Sequence, residues 1–332
     1  MTSAGVPART PLDIAPGFTT RFAPAPTGYL HLGHAANAVW VWGIARAFGG
    51  RVLLRVEDHD RGRCRREYET ALLDDLDWLG LVPDGAGTDA FRAGPLTQRQ
   101  SDNAARYAAR LTALEVNGQA YPCACSRAAI ARAAIARAVD ERDVSHGSPD
   151  GAELRYPSTC RDQRVDPEAT PARRVRMHPG SLERFDDLRL GPQAQDPEEQ
   201  CGDLLARDRS GNWTYQFAVV VDDLEQGVDV VVRGEDLLES TGRQLRLARL
   251  LGRHEPPRFL HHPLLRGRDG RKLSKSAHDT GLRELRAEGR SRGEVLGLAA
   301  HLSGLVDVAR PIAPDRLGDL FSAARNVDIP AP

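Results

Sequence analysis

No apolar run in this 332-residue chain approaches the roughly 18 residues that a membrane span requires, and the N-terminus lacks the basic-then-apolar pattern of a secretory signal. The expected setting is the cytoplasm, with no membrane partner. Charge of one sign is missing too: 45 Lys and Arg stand against 46 Asp and Glu. Bulk attraction to nucleic acid is therefore unavailable, and any RNA contact must come from local basic patches. Aromatic residues make up only 5% of the chain, too few and too scattered along it to nominate a base-stacking surface. Five cysteines are an odd number for a long chain, which argues against a disulfide scaffold and for free or metal-bound thiols in a reducing compartment.

What is present is 41% hydrophobic content, enough for one large domain or two smaller ones. Residues 1–16 are rich in Pro, Ala and Thr without periodicity and read as a flexible leader. From Thr19 the pattern is βαβ: an apolar start, a Gly-bearing turn, an amphipathic run from Ala35 to Phe48, and RVLLRV at Arg51 to Val56. A helix is expected over Arg66–Leu79, with Leu72, Leu73, Leu76 and Leu79 on one face and Gly80 as its stop, and another over Ala104–Glu115. Residues 17–120 thus read as the first half of an α/β domain.

Residues 121–212 turn to Cys, Arg, Asp and Pro with weak periodicity and read as an inserted subdomain. Its repeated AAIAR reads as an exposed Ala-rich helix without chemistry. The α/β pattern resumes over 213–265, where FAVVVDD at Phe217 to Asp223, VDVVVRG at Val228 to Gly234 and RFLHHPLL all read as strands. Thr241 and Gln244 read as a capping box for the helix that follows. Residues 266–332 hold a basic loop and one fair helix around Glu294 to Leu302, a short helical region.

Two segments carry chemistry. In RFAPAPTGYLHLGH, Arg21 to His34, a strand end runs through prolines into a helix start bearing His31 and His34. A nucleotide there would meet unpaired N–H groups, Gly33 would let the backbone approach it, and the histidines could donate to phosphate oxygens. In RKLSKS, Arg271 to Ser276, flanked by Arg266 and Arg268, Lys272 and Lys275 could stabilise a departing pyrophosphate. A basic Ser/Gly loop alone reads as solvated surface. Beside the first segment it points to nucleotidyl transfer.

HLGH and KLSKS resemble the signature motifs with which class I aminoacyl-tRNA synthetases bind ATP. LRVEDHDR at Leu54 to Arg61, VVVDDLEQGV at Val219 to Val228 and VRGEDLL at Val232 to Leu238 resemble the glutamyl-specific branch, and the match runs from about Thr19 to Ser276. The resemblance implies a Rossmann-type catalytic domain whose ATP site includes Gly33 and Lys275, with His31, His34, Lys272 and Lys275 catalytic. It implies glutamate held by Arg21, Phe22, Ala23, Pro24, Ala25, Glu57, Tyr215 and Arg233. Arg21 would take the side-chain carboxylate in a charge-assisted pair that glutamine forfeits, and Glu57 the α-ammonium. The bland alternative makes Tyr215 a core aromatic and Arg233 a surface cation.

Cys123 and Cys125 form C-x-C, and Tyr156 with Cys160 forms Y-x-x-x-C; three thiolates and a phenolate could complete one tetrahedral zinc site per chain. That set resembles the ligands of the glutamyl-queuosine tRNA(Asp) synthetases, with an unusually long loop before Tyr156 and His146 as a substitute ligand. Free buried cysteines are the alternative, and Cys64 and Cys201 have no obvious partners. The short stretch after KLSKS, and an apolar Val219 where full-length glutamyl enzymes usually carry asparagine, resemble the same enzymes.

The expectation is a monomeric ligase that makes glutamyl-adenylate from L-glutamate and Mg-ATP and passes it to queuosine in the anticodon loop of tRNA(Asp). The alternatives are a minimal synthetase charging the 3′ end of tRNA(Glu) and a non-catalytic RNA-binding paralogue.

Overall fold

The computed structural model describes residues 12–140, 154–170, 172–178, 180, 182–265 and 281–322. His146 and the segment carrying Arg266, Arg268, Lys272 and Lys275 lie outside the described residues.

The chain opens with β1 (Thr19–Phe22), α1 (Leu32–Phe48) and β2 (Arg51–Leu54), the strands parallel and paired from Thr19 with Arg51 to Phe22 with Leu54. α1 ends at Gly49, whose φ of 70° is a left-handed cap that a Cβ would strain. Read as amphipathic, α1 in fact buries nearly every side, from Leu32 to Phe48, because strands flank it on one side and later helices on the other. Leu12 is buried in the same core and Ile14 packs on it, so the packed chain begins ahead of Gly17, within the stretch read as a leader.

α2 (Arg66–Leu79) buries the four expected leucines and stops at Gly80. After it come α3 (Thr88–Ala93) and α4 (Ala104–Val116). β3 (Ala120–Pro122), β4 (Arg173–Val175) and β7 (Leu204–Arg207) form a small antiparallel sheet, and Cys123, Cys125 and Cys160 cluster beside it; α5 (Arg127–Asp140) carries the Ala-rich repeat. From the same stretch of chain, β5 (Glu183–Asp187) and β6 (Gly191–Gln195) join the main sheet instead, and α6 (Pro197–Cys201) leads into β7.

That sheet runs β6-β5-β9-β8, with β8 (Val230–Gly234) and β9 (Arg258–His262) parallel and β5 meeting β9 where Asp187 lies opposite Phe259. Asp229 N donates to Thr19 O at 2.8 Å, which sets β1 beside β8. The carboxyl ends of β1, β8 and β9 therefore meet, and the crevice outside such ends is where open parallel sheets hold ligands.

The FAVVVDD segment is not a strand: it lies in α7 (Tyr215–Glu225). Residues Phe217 to Asp223 are buried on every side, and a run without polar interruptions carries no period to separate a buried helix from a buried strand. Nor do Thr241 and Gln244 cap α8 (Thr241–Leu250), whose N-cap Ser240 makes no side-chain cap; both side chains turn to Arg233 instead. The C-terminal part supplies α9 (Leu282–Ala287), α10 (Arg292–Leu302), opened by a Ser291–Glu294 capping box, and α11 (Asp319–Ser322); α10 and α11 pack on α1.

Candidate active site

A cleft of about 830 Å³ opens at the carboxyl ends of β1 and β8. Arg21, Ala23, Pro24, Ala25, His31, Gly33, His34, Glu57, Tyr215 and Arg233, scattered over more than two hundred residues, all line it. Phe22 does not. Alternation along β1 sends its side chain into the core, 5.3 Å from the Trp42 ring, and its carbonyl accepts from Arg55 N.

One wall is the start of α1. His31 Nδ1 accepts from Gly33 N at 3.0 Å and His34 Nδ1 accepts from His31 N at 3.1 Å, a capping box made of two histidines with rings 4.1 Å apart. Because each Nδ1 is an acceptor, a neutral ring carries its proton on Nε2. A Cβ at Gly33 would stand 2.8 Å from His31 Cε1, so glycine is what lets the ring close over the helix start.

The opposite wall is polar and buried. Arg21 donates through Nε to Asp223 Oδ1 at 3.2 Å and through Nη1 to the Val232 carbonyl at 3.3 Å. Arg55, without exposed surface, donates to the same Asp223 oxygen at 2.7 Å and twice to Glu57 Oε1, at 3.2 and 3.0 Å. Burial would raise the Asp223 carboxyl, but Arg55 and Arg21 outweigh it and hold it below the usual range. Glu57 is thus oriented through one oxygen, with the carboxyl group on the cleft lining. Asp222, next to Asp223 in α7, turns the other way, to Tyr107 and Gln100, and burial pushes it up to about 6.

Arg233 is fixed as firmly. Its Nε donates to His261 Nε2 at 3.0 Å, Nη1 to Gln244 at 2.6 Å, and Nη2 to Thr241 at 2.8 Å and the Leu237 carbonyl at 3.1 Å. His261 Nδ1 lies 2.6 Å from Asp187 Oδ2, so the imidazole donates to Asp187 and accepts from Arg233. Burial depresses His261 below its ordinary value, consistent with a neutral ring. Arg233 is no surface cation: it is buried, with Tyr215 beside it on the cleft wall.

Away from the cleft, Cys123, Cys125 and Cys160 bring their sulfurs within 4.8 Å of one another. Cys125 Sγ lies 3.5 Å from Cys160 Sγ, and the Tyr156 hydroxyl lies 3.4 Å from Cys123 Sγ and 3.8 Å from Cys125 Sγ. Thiolates about 2.3 Å from a tetrahedral zinc stand about 3.8 Å apart, so the donor set and its spacing fit that ion. Burial pushes the Cys125 thiol up to about 11. Burial also opposes ionisation of Cys160, but hydrogen bonds from Tyr156 and the Ala124 backbone outweigh it and hold this thiol below its usual value.

The model of class I tRNA synthetases (E and Q), catalytic domain, matches residues 18–299. The chain belongs to this family. A glutamyl-Q tRNA(Asp) synthetase of Symbiobacterium thermophilum is 42% identical over 313 residues, 92% of each chain. One of Nitratidesulfovibrio vulgaris is 39% identical over the same share. Among solved structures, a glutamate tRNA ligase of Elizabethkingia meningosepticum in complex with its amino acid superposes with a TM-score of 0.72 at 23% identity. It matches 93% of this chain against 65% of its own, a likeness of fold. No helix among the described residues is long and apolar enough to cross a membrane.

Sequence reading of this synthetase missed the residues that hold others in place: Arg55, Asp223, Thr241, Gln244, His261 and Asp187. Most lie inside motifs already singled out, Arg55 in LRVEDHDR and Asp223 in VVVDDLEQGV, but nothing local says that they meet. The signal available was charge where burial was expected, since charged side chains rarely sit in apolar runs without a partner.

Proposed function

We propose that this synthetase activates L-glutamate with Mg-ATP and transfers it to the queuosine base at the wobble position of tRNA(Asp). The observation that carries the activation step is Arg21, a buried cation held by Asp223 and the Val232 carbonyl at the floor of a cleft whose other wall is the capped start of α1. The acceptor is supported by the names of relatives that align along nearly their whole length.

Glutamate would enter with its side-chain carboxylate on Arg21 and its α-ammonium on Glu57, whose Oε2 is left over from the Arg55 pair. Tyr215 and Arg233 would complete the hydrogen bonds to substrate carboxylates. ATP would lie with its phosphates at Gly33, His31 and His34, where helix N–H groups and imidazole donors meet negative charge. Lys272 and Lys275 would act on the departing pyrophosphate; their segment is flanked by Leu265, which lines the cleft, and Gly281, which bridges to His31. A carboxylate oxygen of glutamate attacks the α-phosphorus and pyrophosphate leaves. A hydroxyl of the queuosine cyclopentene ring then attacks the acyl carbon and AMP leaves, with no covalent enzyme intermediate.

Cys123, Cys125, Tyr156 and Cys160 would hold a zinc ion with no open position, a cross-link of the small sheet rather than a reagent. The Arg174 guanidinium lies 3.7 Å from the centre of the Tyr156 ring, while burial and the Cys123 thiol push the Tyr156 hydroxyl well above its ordinary value, so its ionisation would have to come from the metal itself.

The test is transfer of labelled glutamate to tRNA(Asp) with and without queuosine, with tRNA(Glu) alongside. Label on queuosine-bearing tRNA(Asp) alone, surviving periodate oxidation of the terminal ribose, is expected. Label on tRNA(Glu) that periodate abolishes would make this a minimal glutamyl-tRNA synthetase.

A further inference from the structure

Most large aromatic rings of this chain are interior: Trp40, Tyr107, Tyr156, Phe22, Phe217 and Phe321 are fully buried. Among the described residues Tyr29 is the one aromatic side chain that stays exposed, at 38%. It sits between Thr27 and His31, both of which line the cleft. Its ring meets that of Tyr68, from the first turn of α2, at 5.0 Å and nearly perpendicular, and the Arg283 guanidinium of α9 lies 4.1 Å from its centre. The three come from distant segments and are held in register, since Leu282 N donates to Leu30 O at 3.0 Å and Gly281 bridges to His31.

The charges around them are unusual. Nearby Arg61, Arg63, Arg92 and Arg99 each reach a carboxylate. Arg65 and Arg66 at the start of α2, and Arg283, form no ion pair among the described residues; on the same helices Glu69, Asp74 and Asp77 are taken by Arg99 and Arg92, and the buried Asp75 feels Arg286 and Arg283. Arg65 and Arg66 line a second depression, of about 450 Å³, whose Pro26 and Asp58 are chain neighbours of Ala25, Thr27, Glu57 and His59 in the cleft lining.

We propose that Tyr29, Tyr68 and Arg283 form a stacking platform for unpaired nucleotides of the RNA acceptor, with Arg65 and Arg66 on its phosphates. This rests on the reading of an RNA loop as acceptor. A loop that delivers one base into the cleft must lay its neighbours on the rim, and single strands are gripped by aromatic faces, guanidinium planes and cations along the backbone. The rim next to Thr27 and His31 offers all three. A sequence poor in aromatics gives no hint of it, because the pair forms only when α2 and the loop before α1 come together.

The test is fluorescence anisotropy with the anticodon stem-loop of tRNA(Asp) on the full chain and on Tyr68→Leu, Tyr68→Phe and Arg283→Ala, with ATP–pyrophosphate exchange measured in parallel. Loss of one stacking partner weakens single-strand binding about five- to 150-fold. Tyr68→Leu and Arg283→Ala are expected to fall in that range while exchange stays within about twofold of the unmodified chain, and Tyr68→Phe is expected to bind normally, because the ring carries the effect. Replacing Arg65 and Arg66 by alanine is expected to lower the slope of log affinity against log salt by about 0.7 each, the single-strand value. Unchanged binding in Tyr68→Leu, or equal losses in Tyr68→Leu and Tyr68→Phe, overturns the platform, as does a full chain that does not bind the stem-loop. If the acceptor reading alone is wrong, glutamate transfer to tRNA(Asp) fails while the dependence of RNA binding on the Tyr68 ring remains.

Discussion

The two walls of the cleft are built in opposite ways. At the start of α1 the geometry is local: His31, Gly33 and His34 satisfy one another within three residues. At the facing wall Arg21 meets Asp223 and Val232, and Arg55 meets Asp223, across 168 to 211 residues of chain. The first wall exists once one helix turn forms. The second exists only when β1, β2, β8 and α7 are all in place, so its chemistry is tied to global stability in a way the first is not.

The largest break in that contrast is expected from Asp223→Ala, which leaves Arg21 and Arg55 buried without their shared counter-charge. Removing one partner from such a network costs about 3–5 kcal/mol, read as a lower midpoint in urea unfolding. Glutamate-dependent exchange should be lost with it.

A second effect sharpens the same point through pH. His262, packed 5.8 Å from the Trp40 ring, is held down to about 4 chiefly by burial, against 6.5 for the unperturbed ring. The folded state then binds fewer protons than the unfolded one. This contribution is complete above pH 6.5 and fades as pH falls toward 4, for a total of about 3 kcal/mol. Asp222 and Asp75, both pushed up to about 6, act in the opposite sense over the same range, so the loss is expected in the difference between the unmodified chain and His262→Gln, measured by thermal unfolding from pH 7 to 4.

The local wall should break differently. In Gly33→Ala the new Cβ, 2.8 Å from His31 Cε1, must displace the imidazole. A misplacement of about 1 Å costs on the order of 100-fold in rate. Adenylate formation should fall by that much while urea unfolding moves by less than about 1 kcal/mol. The smallest effect is a control outside both walls: Ser291→Ala removes the cap of α10, costing about 1 kcal/mol with activity unchanged.

The same contrast explains what the sequence makes legible. His31, Gly33 and His34 are adjacent, so a helix start and its anion-binding chemistry can be read from a few letters. α2 was equally readable because Leu72, Leu73, Leu76 and Leu79 alternate with charge, and Gly80 marks its end. α7 was not, because Phe217 to Val221 is apolar throughout and β-branched in part, a pattern that burial permits to a helix as readily as to a strand. Thr241 and Gln244 have the spacing of a cap, but a buried guanidinium at Arg233 needs acceptors more than an exposed helix end does, and tertiary demand won. The supporting shell of Arg55, Asp223, His261 and Asp187 is invisible for the reason that makes it strong: its members touch only after folding.

The measurement that bears most directly on this account is amino-acid-dependent ATP–pyrophosphate exchange in the absence of RNA, with glutamate and glutamine compared at equal concentration. The account predicts exchange with glutamate and a kcat/KM for glutamine lower by at least about 100-fold, because an amide forfeits the charge-assisted pair with Arg21. Equal use of the two amino acids, or no exchange until tRNA is added, would contradict it.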